Sequence, residues 1–268
     1  MIEKLKTAFL GSGFIAGAMV AGLTGSGAVP CGNITVINPG NQSTAGALSE
    51  KYGVINGRPE DILSSDIVFF CVRPQNCREA LEQYGKYFDA GKLYVSVMAG
   101  ITTGTLEEAI PGARVVRAMP NLGMTVGKSA TGYALGKNAS EEDGKLAEEL
   151  FGPLGITEKV DESLISAVTA LSGSGPAYFY LLTDAMAEAA VRDGMDRETA
   201  ERLALQTFFG AACLMEKNGK SAKEMVSRVA SRGGTTEAGI SAMAEAGFRE
   251  SVEKGYLAAR KRSDELGK

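Results

Sequence analysis

The sequence of 268 residues contains no histidine. That absence removes a histidine general base, a Ser-His-Asp triad and most metal sites. Cysteine is scarce. Cys31, Cys71, Cys77 and Cys213 form no CxxC pair, so they are read as reduced core thiols rather than as a disulfide framework or a zinc site. No metal site is expected. There is no basic excess either: 28 Lys and Arg stand against 32 Asp and Glu, a net charge of -4. A chain without a basic footprint is not expected to take nucleic acid as its partner. No uninterrupted apolar run reaches the ~18 residues that a membrane span needs. The segment Met1 to Leu23 has lysines followed by apolar residues, the outline of a signal peptide. Its glycines at 11, 13, 17 and 22 fit a nucleotide-binding turn better. A soluble, cytoplasmic protein is expected.

What is present is the balance of a folded chain, 44% apolar and 22% charged. The length allows one large domain or two ordinary ones. Short apolar runs at Thr7–Leu10, Ile34–Ile37, Asp66–Val72, Leu93–Val97, Arg114–Ala118, Thr131–Leu135 and Ile156–Val160 read as strands. Helical patterns lie between them at Phe14–Leu23, at Ser43–Tyr52 (stopped by Gly53), at Gln75–Phe88, and from a capping box at Ser140 and Asp143 to Phe151. The run DIVFFCV has the pattern of a strand buried on both faces. Alternation of this kind predicts a doubly wound, mostly parallel α/β sheet of Rossmann type. After Asp161 only helices are expected, at 176–191, 197–217, 222–229, 236–246 and 248–266. The predicted organisation is therefore a dinucleotide-binding domain over 1–160 and an all-α domain over 161–268. Helix 176–191 is apolar around much of its circumference and must be buried. A domain of this size has little interior, so a second subunit is expected to cover it; an ordinary core helix is the alternative.

Gly11-Ser12-Gly13-Phe14-Ile15-Ala16 matches G-x-G-x-x-A, with a strand before it and a helix after it. Gly11 permits the tight turn, and Gly13 lets a pyrophosphate approach the backbone. The helix N-terminus offers free N–H groups and partial positive charge to the phosphates. NAD-specific folds place an acid at the end of the second strand. Here the residues from Asn38 to Thr44 include none, which favours NADP(H) over NAD(H). Arg58 would add a cation if its loop folds over the same edge.

Further stretches have no simple structural reason: Val72-Arg73-Pro74-Gln75, Ser96 to Thr102, Arg117 to Asn121, Thr169 to Tyr178 (TALSGSGPAY) and Ser231 to Thr236 (SRGGTT). In this order they resemble the pyrroline-5-carboxylate reductases, the enzymes of the last step of proline synthesis, over nearly the whole chain. The resemblance implies cofactor contacts from Gly11 to Ala16, from Asn38 and Arg58 on the adenosine side, from Val72, Arg73 and Pro74, and from Ala99 and Gly100 under the nicotinamide. It implies substrate contacts from Asn121, Glu162, Ser231, Gly234, Thr235 and Thr236, and assembly as a dimer or a dimer-based ring. The sequence departs from the family pattern at Leu122-Gly123, at Arg232 and at Arg73. The first two lie close to the expected substrate pocket.

Reduction of a cyclic imine suits a chain without histidine, because the hydride belongs to the cofactor. The protein has to hold the imine carbon in place and exclude water. The glycine-containing turn before Thr236 is a ready anion site for a substrate carboxylate. The Thr236 hydroxyl can donate to, or accept from, the ring nitrogen, which makes it the candidate catalytic residue. The alternative is that Thr235 and Thr236 only cap their helix. For Glu162 the alternative is a solvated carboxylate in a first helical turn. Two other functions compete: a β-hydroxyacid dehydrogenase, disfavoured because 176–191 contains no lysine, and a dinucleotide-binding scaffold without turnover.

Overall fold

The apolar runs of the first part become one sheet. The computed structural model describes residues 2–267. Its strands are β1 (Thr7–Leu10), β2 (Ile34–Ile37), β3 (Ile55–Asn56), β4 (Ile67–Phe70), β5 (Leu93–Ser96), β6 (Arg114–Met119), β7 (Ser129–Leu135) and β8 (Gly155–Lys159), and their order across the sheet is β3-β2-β1-β4-β5-β6-β7-β8. All neighbours are parallel except β6 and β7. Only residues 120–128 join those two strands, too few for the crossover that a parallel pair requires.

Period-two alternation sorts the strands onto two cores. Phe9, Val36, Phe69, Val95 and Val116 face one side. Ala8, Leu10, Val68, Phe70, Tyr94 and Val115 face the other. Phe9 and Phe69 stack with centroids 4.4 Å apart. Helices α1 (Phe14–Gly25), α2 (Gln42–Tyr52), α3 (Cys77–Tyr84), α4 (Thr103–Ala109) and α5 (Glu141–Phe151) connect the strands. The expected stops and starts are present: Gly53 takes φ 70 at the end of α2, and Ser140 with Asp143 forms the capping box of α5. Two elements are additional. β3 is a two-residue edge strand, and α4 has too few residues to display an apolar period; it starts where Thr102 Oγ1 accepts from the Thr105 N–H.

The chain then forms α6 (Ile165–Val168), a π-helical turn over Thr169–Gly173, and α7 (Gly175–Arg192), α8 (Arg197–Asn218), α9 (Ala222–Val229), α10 (Thr235–Glu245) and α11 (Phe248–Leu266). Two compact units result. The first runs to Ser174 and includes α11 from Ala258 onward; the second is Gly175–Leu257. The first unit reaches beyond the sheet because Ile165 and Val168 pack with Met119 and Ala134 of β6 and β7.

In the second unit α7 and α8 are joined by the tilted Phe179–Phe208 pair and by Arg197 Nη2 to Glu188 Oε1 at 2.6 Å. Only Gly175 and Ala187 of α7 are buried. Phe179, Tyr180, Leu181 and Met186 are at least half exposed, as are Leu203, Leu205 and Phe209 of α8. The alternative of an ordinary core helix for 176–191 is thereby corrected: among the described residues this apolar surface is left exposed. Among the described residues no helix is long and apolar enough to cross a membrane.

Candidate functional site

After β1 the chain turns to β2 and β3 on one side, then crosses back to β4 on the other side of β1. In such a sheet ligands bind in the crevice at the carboxyl ends of the strands, at this switch point. A crevice of about 560 Å³ lies there. Gly13, Phe14 and Ile15 line it after β1, Cys71 to Pro74 after β4, Val97 to Ala99 after β5, and Met119 to Leu122 after β6; Thr169, Gly173 and Ser174 of the π turn complete the wall.

The turn after β1 shows why glycine is required. Gly11 has φ 108, and a Cβ on it would lie 2.7 Å from the Cys71 carbonyl oxygen. Its N–H donates to Ile37 O at 2.9 Å, and the Cys71 N–H donates to Leu10 O at 2.9 Å. Gly13 is the N-cap of α1, with no side chain capping the helix, and a Cβ there would meet nothing within 4 Å. The first N–H groups of α1 therefore remain free to meet an anion.

At the end of β2, Asn38 Nδ2 donates to Ser12 Oγ at 2.7 Å, and Ser12 Oγ contacts Thr44 Oγ1. This neutral network ties the glycine turn to the start of α2. The Arg58 loop lies at the same edge, since the Gly57 N–H donates to Val36 O at 2.9 Å. Arg58 is exposed. Among the residues lining the crevice only Arg73 carries a charge. Burial pushes the Cys71 thiol up, so it stays protonated.

Asn121 is already engaged. Its Oδ1 accepts from the Gly123 N–H at 2.9 Å and its Nδ2 donates to Ser172 O at 3.0 Å, so it fastens the loop after β6 to the π turn. The departure at Gly123 has a physical reason: a Cβ there would lie 2.5 Å from Lys128 O. Single-turn π segments recur at functional sites. The π turn is formed by the first part of the TALSGSGPAY motif, whose pattern carries a family resemblance but no sign of a π segment.

Glu162 and Gly100 sit together elsewhere. Both line a second cavity, of about 420 Å³, with Arg117, Ser166 and Asp264. Glu162 Oε1 accepts from the Thr103 N–H, and Oε2 accepts from the Thr103 hydroxyl, each at 2.6 Å. Arg117 Nη1 lies 3.3 Å from Oε1. Burial pushes the Arg117 guanidinium below its usual range, and the adjacent Glu162 opposes this. Glu162 is thus a fastening for the start of α4, not the solvated carboxylate that was the alternative.

Ser231, Gly234, Thr235 and Thr236 lie in the second unit at the start of α10. Gly233 takes φ 70, the Gly234 N–H donates to Ser231 O at 3.0 Å, and the Gly233 N–H donates to Glu237 Oε2 at 2.6 Å. Gly234 is the N-cap, and no side chain caps the helix. The alternative in which Thr235 and Thr236 serve only as caps is corrected on that ground. Among the described residues neither hydroxyl has a hydrogen-bond partner within the chain.

Comparison with known proteins gives a consistent picture. Residues 162–266 match the family model described as pyrroline-5-carboxylate reductase dimerisation. Residues 6–100 match the model described as NADP oxidoreductase, coenzyme F420-dependent. The chain is 39% identical to a pyrroline-5-carboxylate reductase of Methanosarcina acetivorans, covering 100% of both. It is 38% identical to one of Arabidopsis thaliana, covering 98% of this chain and 96% of the relative. Among solved structures, pyrroline carboxylate reductase of Plasmodium falciparum with NADP bound superposes with TM-score 0.89 at 26% identity, covering 100% of both chains. A pyrroline-5-carboxylate reductase from Coxiella burnetii superposes with TM-score 0.86 at 33% identity, covering 98% of this chain and 99% of that one.

Proposed function

The chain belongs to the pyrroline-5-carboxylate reductase family, and on that premise we propose that it reduces 1-pyrroline-5-carboxylate to L-proline with NADP(H), in preference to NAD(H). The observation that carries this reading is the Gly11–Ala16 turn, which opens a free helix N-terminus into the crevice at the sheet's switch point. A Cβ at Gly11 would fill the place where the chain closes on Cys71, and none at Gly13 obstructs the approach of a pyrophosphate. The residues therefore fit a dinucleotide.

The N–H groups at the start of α1 hold the pyrophosphate. Asn38, Ser12 and Arg58 meet the adenosine ribose and its 2′-phosphate with neutral and positive donors; the nearby Asp61 carboxylate is engaged by the Arg58 N–H at 2.7 Å. Val72, Arg73, Pro74 and Ala99 flank the nicotinamide, and Gly100 shapes the loop that carries Ala99. Bound NADPH supplies the hydride that the imine carbon accepts. The turn Ser231–Thr235 holds the substrate carboxylate on the N–H groups of α10, and the unpaired Thr236 hydroxyl meets the ring nitrogen. Asn121 fixes the loop after β6 that walls the crevice. Glu162 acts through Thr103 on the same loop as Gly100. In function the chain divides into a dinucleotide-binding half, 1–160, and a substrate and dimerisation half, 161–268. It self-associates as a dimer, or as an assembly built of dimers, and the uncovered apolar faces of α7 and α8 support this.

The test is Thr236→Val. NADPH binding is expected to persist while imine reduction falls by about two orders of magnitude. Unchanged kcat/KM removes Thr236 from the mechanism. Parallel assay of the parent chain with 3-hydroxyisobutyrate and NADP+ is expected to show no turnover; turnover there alone would overturn the substrate assignment.

A further inference from the structure

The loop that brings Ala99 to the crevice is held from its far side by a segment that does not line that crevice. Between β5 and α4 the chain passes through Val97, Met98 and Ala99, which line the crevice, and then through Gly100, which lines the second cavity. Gly100 takes φ 79, where glycine is favoured. A Cβ on Gly100 would lie 2.5 Å from the Gly267 N, 2.7 Å from the Leu266 carbonyl carbon and 2.9 Å from Ser263 O. In return, a Cβ on Gly267 would collide with the Gly100 carbonyl. The two backbones meet with no side chain between them.

The end of α11 makes this contact with almost no apolar burial. Ser263 is its only buried residue, at 2% exposed, and its hydroxyl donates to Ser166 Oγ at 3.3 Å. Asp264 lines the same cavity as Arg117 and Glu162. A docking built on backbone and small polar groups adds little hydrophobic stabilisation. Its effect is geometric: Glu162 grips Thr103 at one end of the Ala99–Thr102 loop and Gly267 is seated on Gly100 near the other.

We propose that the segment Ser263–Gly267 is a positioning element for the reaction, seating Ala99 beneath the nicotinamide by backbone contact with Gly100. This rests on the placement of the nicotinamide given above. The pair of variants Gly267→Ala and Ser263→Leu tests it, each forcing the segment away from the loop. A displacement of the floor by about 1 Å is expected to lower kcat by tenfold or more, while the NADPH Kd, read by nucleotide fluorescence, changes less than about threefold. Amide hydrogen exchange at residues 99–102 is expected to quicken about tenfold, with the thermal midpoint unmoved. A general loss of stability would instead lower the midpoint and speed exchange throughout the sheet, and that result overturns the proposal. So does unchanged exchange at 99–102 in both variants. The exchange readout does not depend on which imine is reduced. Quickened exchange at 99–102 in the variants, beside a parent chain that turns over no pyrroline-5-carboxylate, would therefore sink the functional reading and leave the contact standing.

Discussion

Removing the Glu162 carboxylate separates a fastening role from a direct role in substrate binding. In Glu162→Ala the Arg117 side chain, 5% exposed, loses its hydrogen-bonded counter-charge and keeps only the more distant Asp264, and its Nε already lacks a partner. Thr103, 4% exposed, loses the acceptor for both its N–H and its hydroxyl. Breaking a fully buried pair costs about 3–5 kcal/mol. The Glu162 side chain is 29% exposed, so water replaces part of what is lost, and the expectation is about 3 kcal/mol. At roughly 2–4 °C per kcal/mol for a chain of this size, the thermal midpoint falls by about 6–12 °C. Glu162→Gln keeps an acceptor for Thr103 but no charge, and it falls between parent and Ala. Thermal melting and urea denaturation followed by circular dichroism, at one fixed protein concentration because association shifts the apparent stability, measure the midpoint and the free energy of both variants. NADPH oxidation is assayed beside it below the melting range. If Glu162→Ala melts with the parent yet loses turnover, the carboxylate serves the substrate, and the fastening argument is wrong.

Gly11→Ala places a methyl group against the Cys71 carbonyl at a φ of 108. The NADPH Kd by fluorescence titration is expected to rise at least about tenfold, and an unchanged Kd removes the turn from the cofactor site. Asn38→Asp sets a carboxylate at the end of β2, where Ser12 can turn its hydroxyl to donate. The ratio of kcat/KM for NADPH to that for NADH is expected to fall by about tenfold; an unmoved ratio would mean that the 2′-phosphate lies elsewhere. Burial raises the Tyr94 phenol from its ordinary 10.0 to about 12. The fold therefore favours the neutral ring, and this contribution is full below pH 10 and lost as pH rises from there through about 12. Urea denaturation of the parent across that window is expected to show a steeper fall than that of Tyr94→Phe, and parallel curves would contradict it.

Most of the sheet was legible because burial on both faces leaves unbroken apolar runs such as IVFF of β4. The caps at Gly53 and Ser140 were legible for the same kind of local reason: a left-handed turn or an orphan N–H selects its residue. Short elements escaped. β3 and α4 carry too few residues to display a period, and no propensity marks the π turn, whose Ser172 carbonyl accepts from Asn121. In the candidate site, Gly11 to Ala16 could be read directly as a spaced pattern between a strand and a helix, although the contact that excludes a Cβ at Gly11 comes from the distant Cys71 carbonyl. The placement of Gly100 and Glu162 away from the crevice could not, because their neighbours are Gly267, Thr103 and Arg117, distant in the chain.

The sequence by itself determined the alternation of strands and helices, the G-x-G-x-x-A pattern between a strand and a helix, and the absence of an acid from Asn38 to Thr44, since each is a pattern of residues adjacent in the chain. Tertiary structure alone decided that β7 runs against β6, that Asn121 and Glu162 spend their side chains on the protein's own backbone and partners, and that α11 ends against Gly100. Hydrogen bonds and backbone contacts across such separations are chosen by the packing of the whole unit, and no local pattern of residues encodes them.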